Sequence, residues 1–325
     1  MTLIRIEATR EVWPLKEAFV ISRGAKTAAE VVVVTASDGT HTGRGEAVPY
    51  ARYGETVDGV LAQLGEAAPH ISSTTDLAGL LKPGAALNAF DCALWDLESK
   101  RTGIRVSERA KLPSPCSKIT CVTLSLDAPS VMAEKAANFP HLGLLKLKLG
   151  GPGDDERMIA VRKARPDAKL VVDANEAWTQ EALEMLLAVA ADCKIDLIEQ
   201  PLPAGRDAVL RDVSHVVPLC ADESIHIAGD VANLIGLYDA VNVKLDKAGG
   251  LTGAIKLVDE ARRHGLKIMI GSMVATSLAA APAMLLAPYA DWIDLDGPLL
   301  LANDREHGLR IENGIIYPPQ PELWG

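Results

Sequence analysis

From about residue 118 onward, short apolar runs alternate with amphipathic stretches. The runs are ITCVTLSL, LLKLKLG, KLVVDAN, DLIEQP, VPLCADES, AVNVKLD, LKIMIGS and WIDLDGP, and stretches such as DDERMIAVRKARP and TGAIKLVDEARRHG separate most of them. The runs read as buried strands and the stretches as helices, which predicts an α/β fold, a (β/α)8-type barrel. The ends of the second to sixth runs recur every 22 to 26 residues, the length of one strand, one helix and two short connections.

The first 110 or so residues differ in kind. TLIRIEATREVWPL and EVVVVTASDGTHTGRGEAVP alternate with period two around a turn at SDGT, and helical patterns follow near 56–68 and 86–101. The expected organisation is an α+β capping domain over 1–112, a barrel over 113–304 and a tail over 305–325. That tail, with HGLRIENGIIYPPQPELW, reads as strand-turn-strand and is expected to return to the cap. Residues 268–290 carry no charge and are long enough to cross a bilayer, but Gly271, Ser272, Thr276, Ser277, Pro282 and Pro288 break the segment up. A buried strand followed by a helix fits it better, so no membrane association is expected.

Composition narrows the partners. Hydrophobic residues make up 48% of the chain, which is ample for a core, and the net charge of −10 argues against a nucleic-acid backbone as ligand. An anionic ligand therefore needs a local cationic site. The five cysteines are odd in number and form no C-x-x-C pair, so neither a disulfide framework nor a zinc site is suggested. With no apolar signal-like stretch in MTLIRIEATREVW, a cytoplasmic location is expected.

The candidate chemistry begins in LLKLKL. Lys146 and Lys148 are two places apart in a strand and leave the same face, among leucines that suggest burial. Three consecutive runs then end in an acid: Asp173, Glu199 and Asp222. Adjacent barrel strands lie about 4.8 Å apart, so three carboxylates would face one small volume. Like charges that close need a cation, and an all-oxygen set points to Mg2+ before Mn2+. The bland reading, that each acid caps the next helix, does not explain three in step.

Lys244 holds the matching place at the sixth strand end, across the barrel from Lys148. Two amines on opposite sides of a metal-bound substrate suit removal of a proton from one face of a carbon and delivery to the other. Lys146, a cation and burial are expected to lower the pKa of Lys148 toward that of a general base. The alternative, that Lys146 and Lys148 only pair with Asp173 and its neighbours, leaves Lys244 unexplained.

KLK, DAN, EQP, ADES and VKLDKAGG, with NAFDCALWDL ahead of the barrel, together resemble the enolase superfamily, muconate-lactonizing subgroup. The resemblance covers nearly the whole chain. It implies a modified enolase-like barrel, Lys148 and Lys244 as bases with Lys146 beside them, Asp173, Glu199 and Asp222 as Mg2+ ligands, and Asn175 and Glu223 supporting these from behind. In DLDGP, Asp294 and Asp296 share a face, and the corresponding D-x-D motif of the family's dipeptide epimerases holds a substrate ammonium. Arg23 in FVISRGAKT resembles the residue that meets an acidic substrate side chain, and Tyr50 and Tyr53 in PYARYGET resemble a loop that closes over the site.

The activity implied is dipeptide epimerisation, of the kind that interconverts L-Ala-D-Glu and L-Ala-L-Glu in murein peptide recycling. Cycloisomerisation, o-succinylbenzoate synthesis and N-acylamino acid racemisation are rivals whose substrates lack the ammonium group; a non-catalytic peptide-binding barrel is a further rival, which two opposed lysines disfavour. The oligomeric state is open, and a homo-oligomer is compatible with the sequence.

Overall fold

The computed structural model describes residues 4–71, 77 and 79–325. Three antiparallel strands open the chain: β1 (Arg5–Ile21), β2 (Gly24–Ser37) and β3 (Thr42–Ala47), in the order β1-β2-β3. In β2 the period of two serves both faces. Val32, Val34 and Ala36 pack against the helices α1 (Val57–Ala67) and α2 (Ala85–Thr102), while Val31 and Val33 join the barrel's core. The helix α2 lies so close to β3 that a Cβ at Gly45 would stand 2.1 Å from Ala89 O, so only glycine fits there.

The segment FVISRGAKT forms the tip of the β1–β2 hairpin. The register slips between Pro14 and Phe19, as suits a residue that cannot donate to the ladder, and pairing resumes as far as Ile21–Gly24. Only Ser22 and Arg23 make the turn.

A short β4 (Lys118–Ile119) leads into the barrel: β5 (Val122–Leu124), β6 (Leu144–Lys148), β7 (Lys169–Asp173), β8 (Leu197–Glu199), β9 (Leu219–Ala221), β10 (Ala240–Lys244), β11 (Lys267–Gly271) and β12 (Trp292–Asp294). These eight strands are parallel and in sequential order, and a bridge from Thr120 to Ile293 closes the ring. The (β/α)8-type barrel expected from the sequence is therefore present. The segment 268–290 contributes β11 and a buried helix, Ser277–Met284, and no helix among the described residues is long and apolar enough to cross a membrane.

The tail folds as β13 (Ile311–Glu312) and β14 (Ile315–Ile316), and β14 pairs with β4, not with the cap's sheet. The last residues do reach the cap: Trp324 Nε1 donates to Cys92 O at 3.1 Å and Gly325 N to Asp96 Oδ1 at 2.8 Å, both on α2. Cap and barrel are pinned by buried acids. Asp246 Oδ1 accepts from Val48 N and Asn88 Nδ2, each at 2.9 Å, and Glu46 Oε1 accepts from Thr276 N at 2.8 Å.

Candidate active site

The barrel interior is layered. Cys121, Leu144, Val171, Leu197, Cys220, Ala240 and Met269, one from each of seven consecutive staves, form an apolar floor. Two residues further along each stave the side chain returns to the interior, and those positions are Thr123, Lys146, Asp173, Glu199, Asp222, Asn242 and Gly271. Alternation thus places a polar layer directly above the floor, at the end of the barrel where sites of this fold lie. Gly271 keeps room for its neighbour, since a Cβ there would meet Asn242 Oδ1 at 2.5 Å.

In this layer ammonium and carboxylate groups interleave. Lys146 Nζ lies 2.5 Å from Glu199 Oε2, 2.6 Å from Asp294 Oδ2 and 3.2 Å from Asp173 Oδ2. Lys148 Nζ donates to Asp173 Oδ2 at 2.6 Å, Lys244 Nζ to Asp222 Oδ2 at 2.6 Å, and Lys247 Nζ to Asp222 Oδ1 at 2.6 Å. Asn242 Nδ2 donates to Glu199 Oε1 at 2.7 Å. Ion pairing, the alternative weighed for Lys146 and Lys148, is therefore real and extends to Lys244.

The charges shape each other. Glu199 is pushed up to about 7 by burial and then by Asp173, the like-charge conflict expected of crowded acids. Burial also opposes ionisation of Asp222, but Lys244 and Lys247 outweigh it and hold Asp222 well below the usual carboxylate range. For Lys244, burial acts to lower the pKa, yet Asp222 and Glu199 prevail and hold the amine well above the lysine range. A lowered amine pKa is thus not a property of Lys244 while its acids are paired to it.

The oxygens suit a hard cation. Glu199 Oε2, Glu223 Oε2 and Asn175 Oδ1 are buried and meet no donor in hydrogen-bond geometry, although the first is close to Lys146. An all-oxygen set with unmet acceptor capacity is what a divalent hard ion satisfies. Among the described residues no three acids, histidines or cysteines converge as a closed cage; lysines stand between the carboxylates.

Above this layer lies a cavity of about 430 Å3, within the range for small-molecule sites. Lys148 and Lys244 face it from β6 and β10, four strands apart in a ring of eight and so on opposite sides. Asp294 and Asp296 line it from the β12 end. Asp296 does not cap the helix that follows it; its Oδ2 accepts from Thr123 N at 2.6 Å across the ring closure, and burial and Asp294 push its pKa up to about 6.

The cap supplies the roof. Arg23, at the hairpin tip, donates to Glu223 Oε1 at 2.8 Å, to Tyr50 Oη at 3.2 Å and to Asn175 O at 3.0 Å. Tyr53 stacks edge-on against His226, with ring centroids 4.5 Å apart. Glu223 stands on the cavity wall holding Arg23 rather than behind Asp222, while Asn175 N donates to Asp173 Oδ1 at 3.0 Å. Glu176 takes Arg52 at 2.9 and 2.8 Å, and both Asn175 and Glu176 adopt left-handed backbone, φ 45° and 67°. Glu176, Asn242, Lys247, Phe19 and Lys26 went unmarked in the sequence. For Asn242 a signal existed, because it shares a strand face with Lys244.

Residues 3–109 match the model of the mandelate racemase/muconate lactonizing enzyme N-terminal domain, and residues 132–322 match the enolase C-terminal domain-like model. The chain belongs to the enolase superfamily, in its mandelate racemase/muconate lactonizing branch. It is 42% identical to the L-Ala-D/L-Glu epimerase of Escherichia coli (strain K12), over 96% of this chain and 99% of that one. The N-acetyl-D-glutamate racemase of a Pseudoalteromonas species is also 42% identical, over 91% and 95%. An enolase family member from Agrobacterium tumefaciens with homology to dipeptide epimerases, solved with sodium and L-Ala-L-Glu, superposes with a TM-score of 0.97 at 48% identity, covering 99% of this chain and 100% of that one.

Proposed function

We propose that this chain is a Mg2+-dependent dipeptide epimerase that moves the α-proton of the carboxy-terminal residue, interconverting L-Ala-D-Glu and L-Ala-L-Glu. The observation that carries the reading is the placement of Lys148 and Lys244 on opposite walls of one cavity, with Asp173, Glu199 and Asp222 on the three strands between them. Those three acids, with oxygen donors only, would hold Mg2+, which when bound supplies a Lewis acid for the substrate's carboxylate.

The chain's own residues do the rest. Asp294 and Asp296 receive the dipeptide's ammonium group and fix its direction in the cavity. Arg23, on the hairpin, faces the glutamate side chain. One lysine, as the free amine, takes the α-proton as the C–H bond breaks and its electron pair passes toward the carboxylate. The other, as an ammonium, gives its proton to the opposite face, so the two exchange protonation states in each turnover. Tyr50 and Tyr53 cover the cavity and keep water away from the exposed carbanion. Asn175 supports Asp173, and Glu223 orients Arg23.

Incubating the protein with L-Ala-D-Glu and Mg2+ and separating the two epimers tests this; an unchanged substrate refutes it. Racemisation of N-acetylglutamate is a second reading, supported by the equally similar racemase, and by Asp294 being already paired with Lys146. Comparing rates on N-acetylglutamate and L-Ala-Glu separates the two. The free, mostly buried cysteines support a reducing cytoplasm, and an L-Ala-Glu substrate supports a role in murein peptide turnover.

A further inference from the structure

We infer that Gln200 is a positioning residue: its side-chain amide holds Asp222 at the place from which it shares Mg2+ with Glu199. The assignment rests on the reading above that these acids hold the ion. It starts from the backbone. Gln200 adopts φ 37°, a left-handed conformation that residues other than glycine seldom keep, and does so directly before Pro201, where extended backbone is the norm. Strain of this kind persists only where the surroundings impose it.

The Gln200 side chain, buried completely, shows what imposes it. Nε2 donates to Leu202 O at 2.8 Å and to Ser224 Oγ and Tyr238 Oη, each at 2.9 Å. Both hydroxyls give their own hydrogen to Asp207 Oδ2, at 2.5 and 2.8 Å, so toward Gln200 they can only accept. That sets the amide's orientation, with nitrogen toward the hydroxyls and oxygen toward the end of β9. There Oε1 accepts from Asp222 N at 2.9 Å and from Ser224 N at 3.1 Å.

The strand ladder explains why these bonds are needed. Asp173 and Glu199 are paired residues of β7 and β8. Pairing of β9, however, ends at Cys220 toward β8 and at Ala221 toward β10, so Asp222 stands one residue past the last strand pair. Its N–H is taken by the Gln200 amide, and its carbonyl accepts from Lys247 Nζ at 2.5 Å. Side chains thus do for Asp222 what strand neighbours do for the other two acids. Because Gln200 directly follows Glu199, its amide fixes the separation of the two acids' backbones. Gln200 does not line the cavity, so its effect passes through Asp222.

The test is the Kd for Mg2+ of the substrate-free protein, measured by calorimetry. Partners that orient a metal's ligands typically alter affinity by about tenfold or more, and Gln200→Leu should weaken binding to that extent. Gln200→Asn draws the amide back by one methylene, leaves room for water on the freed N–H groups, and should weaken binding too, which decides the matter if Gln200→Leu does not fold. Tyr238→Phe removes a hydroxyl from the same network but leaves the bond to Asp222, so it should lower the urea midpoint with the Kd unchanged. An unchanged Kd in a folded Gln200 variant, or an equal weakening in Tyr238→Phe, overturns the assignment while leaving the metal reading intact. If the unmodified protein binds no Mg2+, the metal reading fails and the assignment falls with it.

Discussion

Lys146, on β6, reaches past β5 to Asp294, 148 residues away on β12, and donates to its Oδ2 at 2.6 Å. The sequence cast Lys146 as the neighbour that perturbs Lys148 and Asp294 as a receptor for substrate. In the structure the two form one link, and Lys146 also contacts Glu199 and Asp173, so a single ammonium ties the candidate metal acids to the candidate substrate acid.

Replacing Lys146 by Ala removes the common partner of three buried carboxylates. Loss of one member of a buried pair costs about 3–5 kcal/mol. Urea unfolding of Lys146→Ala should show a loss of that order, partly recovered by added Mg2+. A variant as stable as the parent would remove Lys146 from this role.

Asp296 is held by Thr123 N at 2.6 Å and makes no cap, which leaves its other oxygen for a ligand. Charge-assisted hydrogen bonds contribute about 1.5–3 kcal/mol, so Asp296→Asn should raise KM for L-Ala-L-Glu about tenfold or more. The Mg2+ concentration needed for half activity should stay where it was. A shift in that concentration with KM unmoved would reassign Asp296 to the metal.

Chelation offers a separate check. If Asp173, Glu199 and Asp222 hold Mg2+, exhaustive EDTA treatment should abolish epimerisation and Mg2+ should restore it, with Mn2+ as a weaker substitute. Full activity after chelation would leave those acids without their proposed use.

Much of this site was legible because strand periodicity is strict. Once Leu144, Val171, Leu197 and Cys220 are taken as floor, Lys146, Asp173, Glu199 and Asp222 follow two residues later, and the structure places all eight accordingly. What escaped was set by contacts between distant segments. Nothing near Arg23 in sequence announces Glu176 and Glu223, which lie more than 150 residues away, and the register slip at Pro14 that carries the hairpin tip over the cavity depends on β2. Lys247 lies within VKLDKAGG, where only Lys244 carries a candidate role, yet it anchors Asp222.

A buried acid away from the site should imprint itself on stability. Asp91 accepts from Thr252 N at 2.9 Å at the start of the helix Gly250–Arg263, and burial pushes its pKa from 3.8 up to about 6. With the folded-state pKa above the unfolded one, its stabilising contribution is complete below about pH 4 and is lost as pH rises through about 6. Asp91→Asn lacks this titration. Its stability relative to the parent should therefore rise by about 3 kcal/mol between pH 4 and pH 7, read from urea unfolding at each pH. Parallel stability profiles for the two proteins would contradict the buried-acid account.

The most direct measurement of the two-lysine arrangement is α-proton exchange in deuterated water by Lys148→Ala and Lys244→Ala, each with L-Ala-D-Glu and L-Ala-L-Glu. Both variants should lose epimerisation, and at least one should still exchange the α-proton of a single epimer, because one face keeps its base. Full epimerisation by either variant would contradict proton transfer from opposite walls.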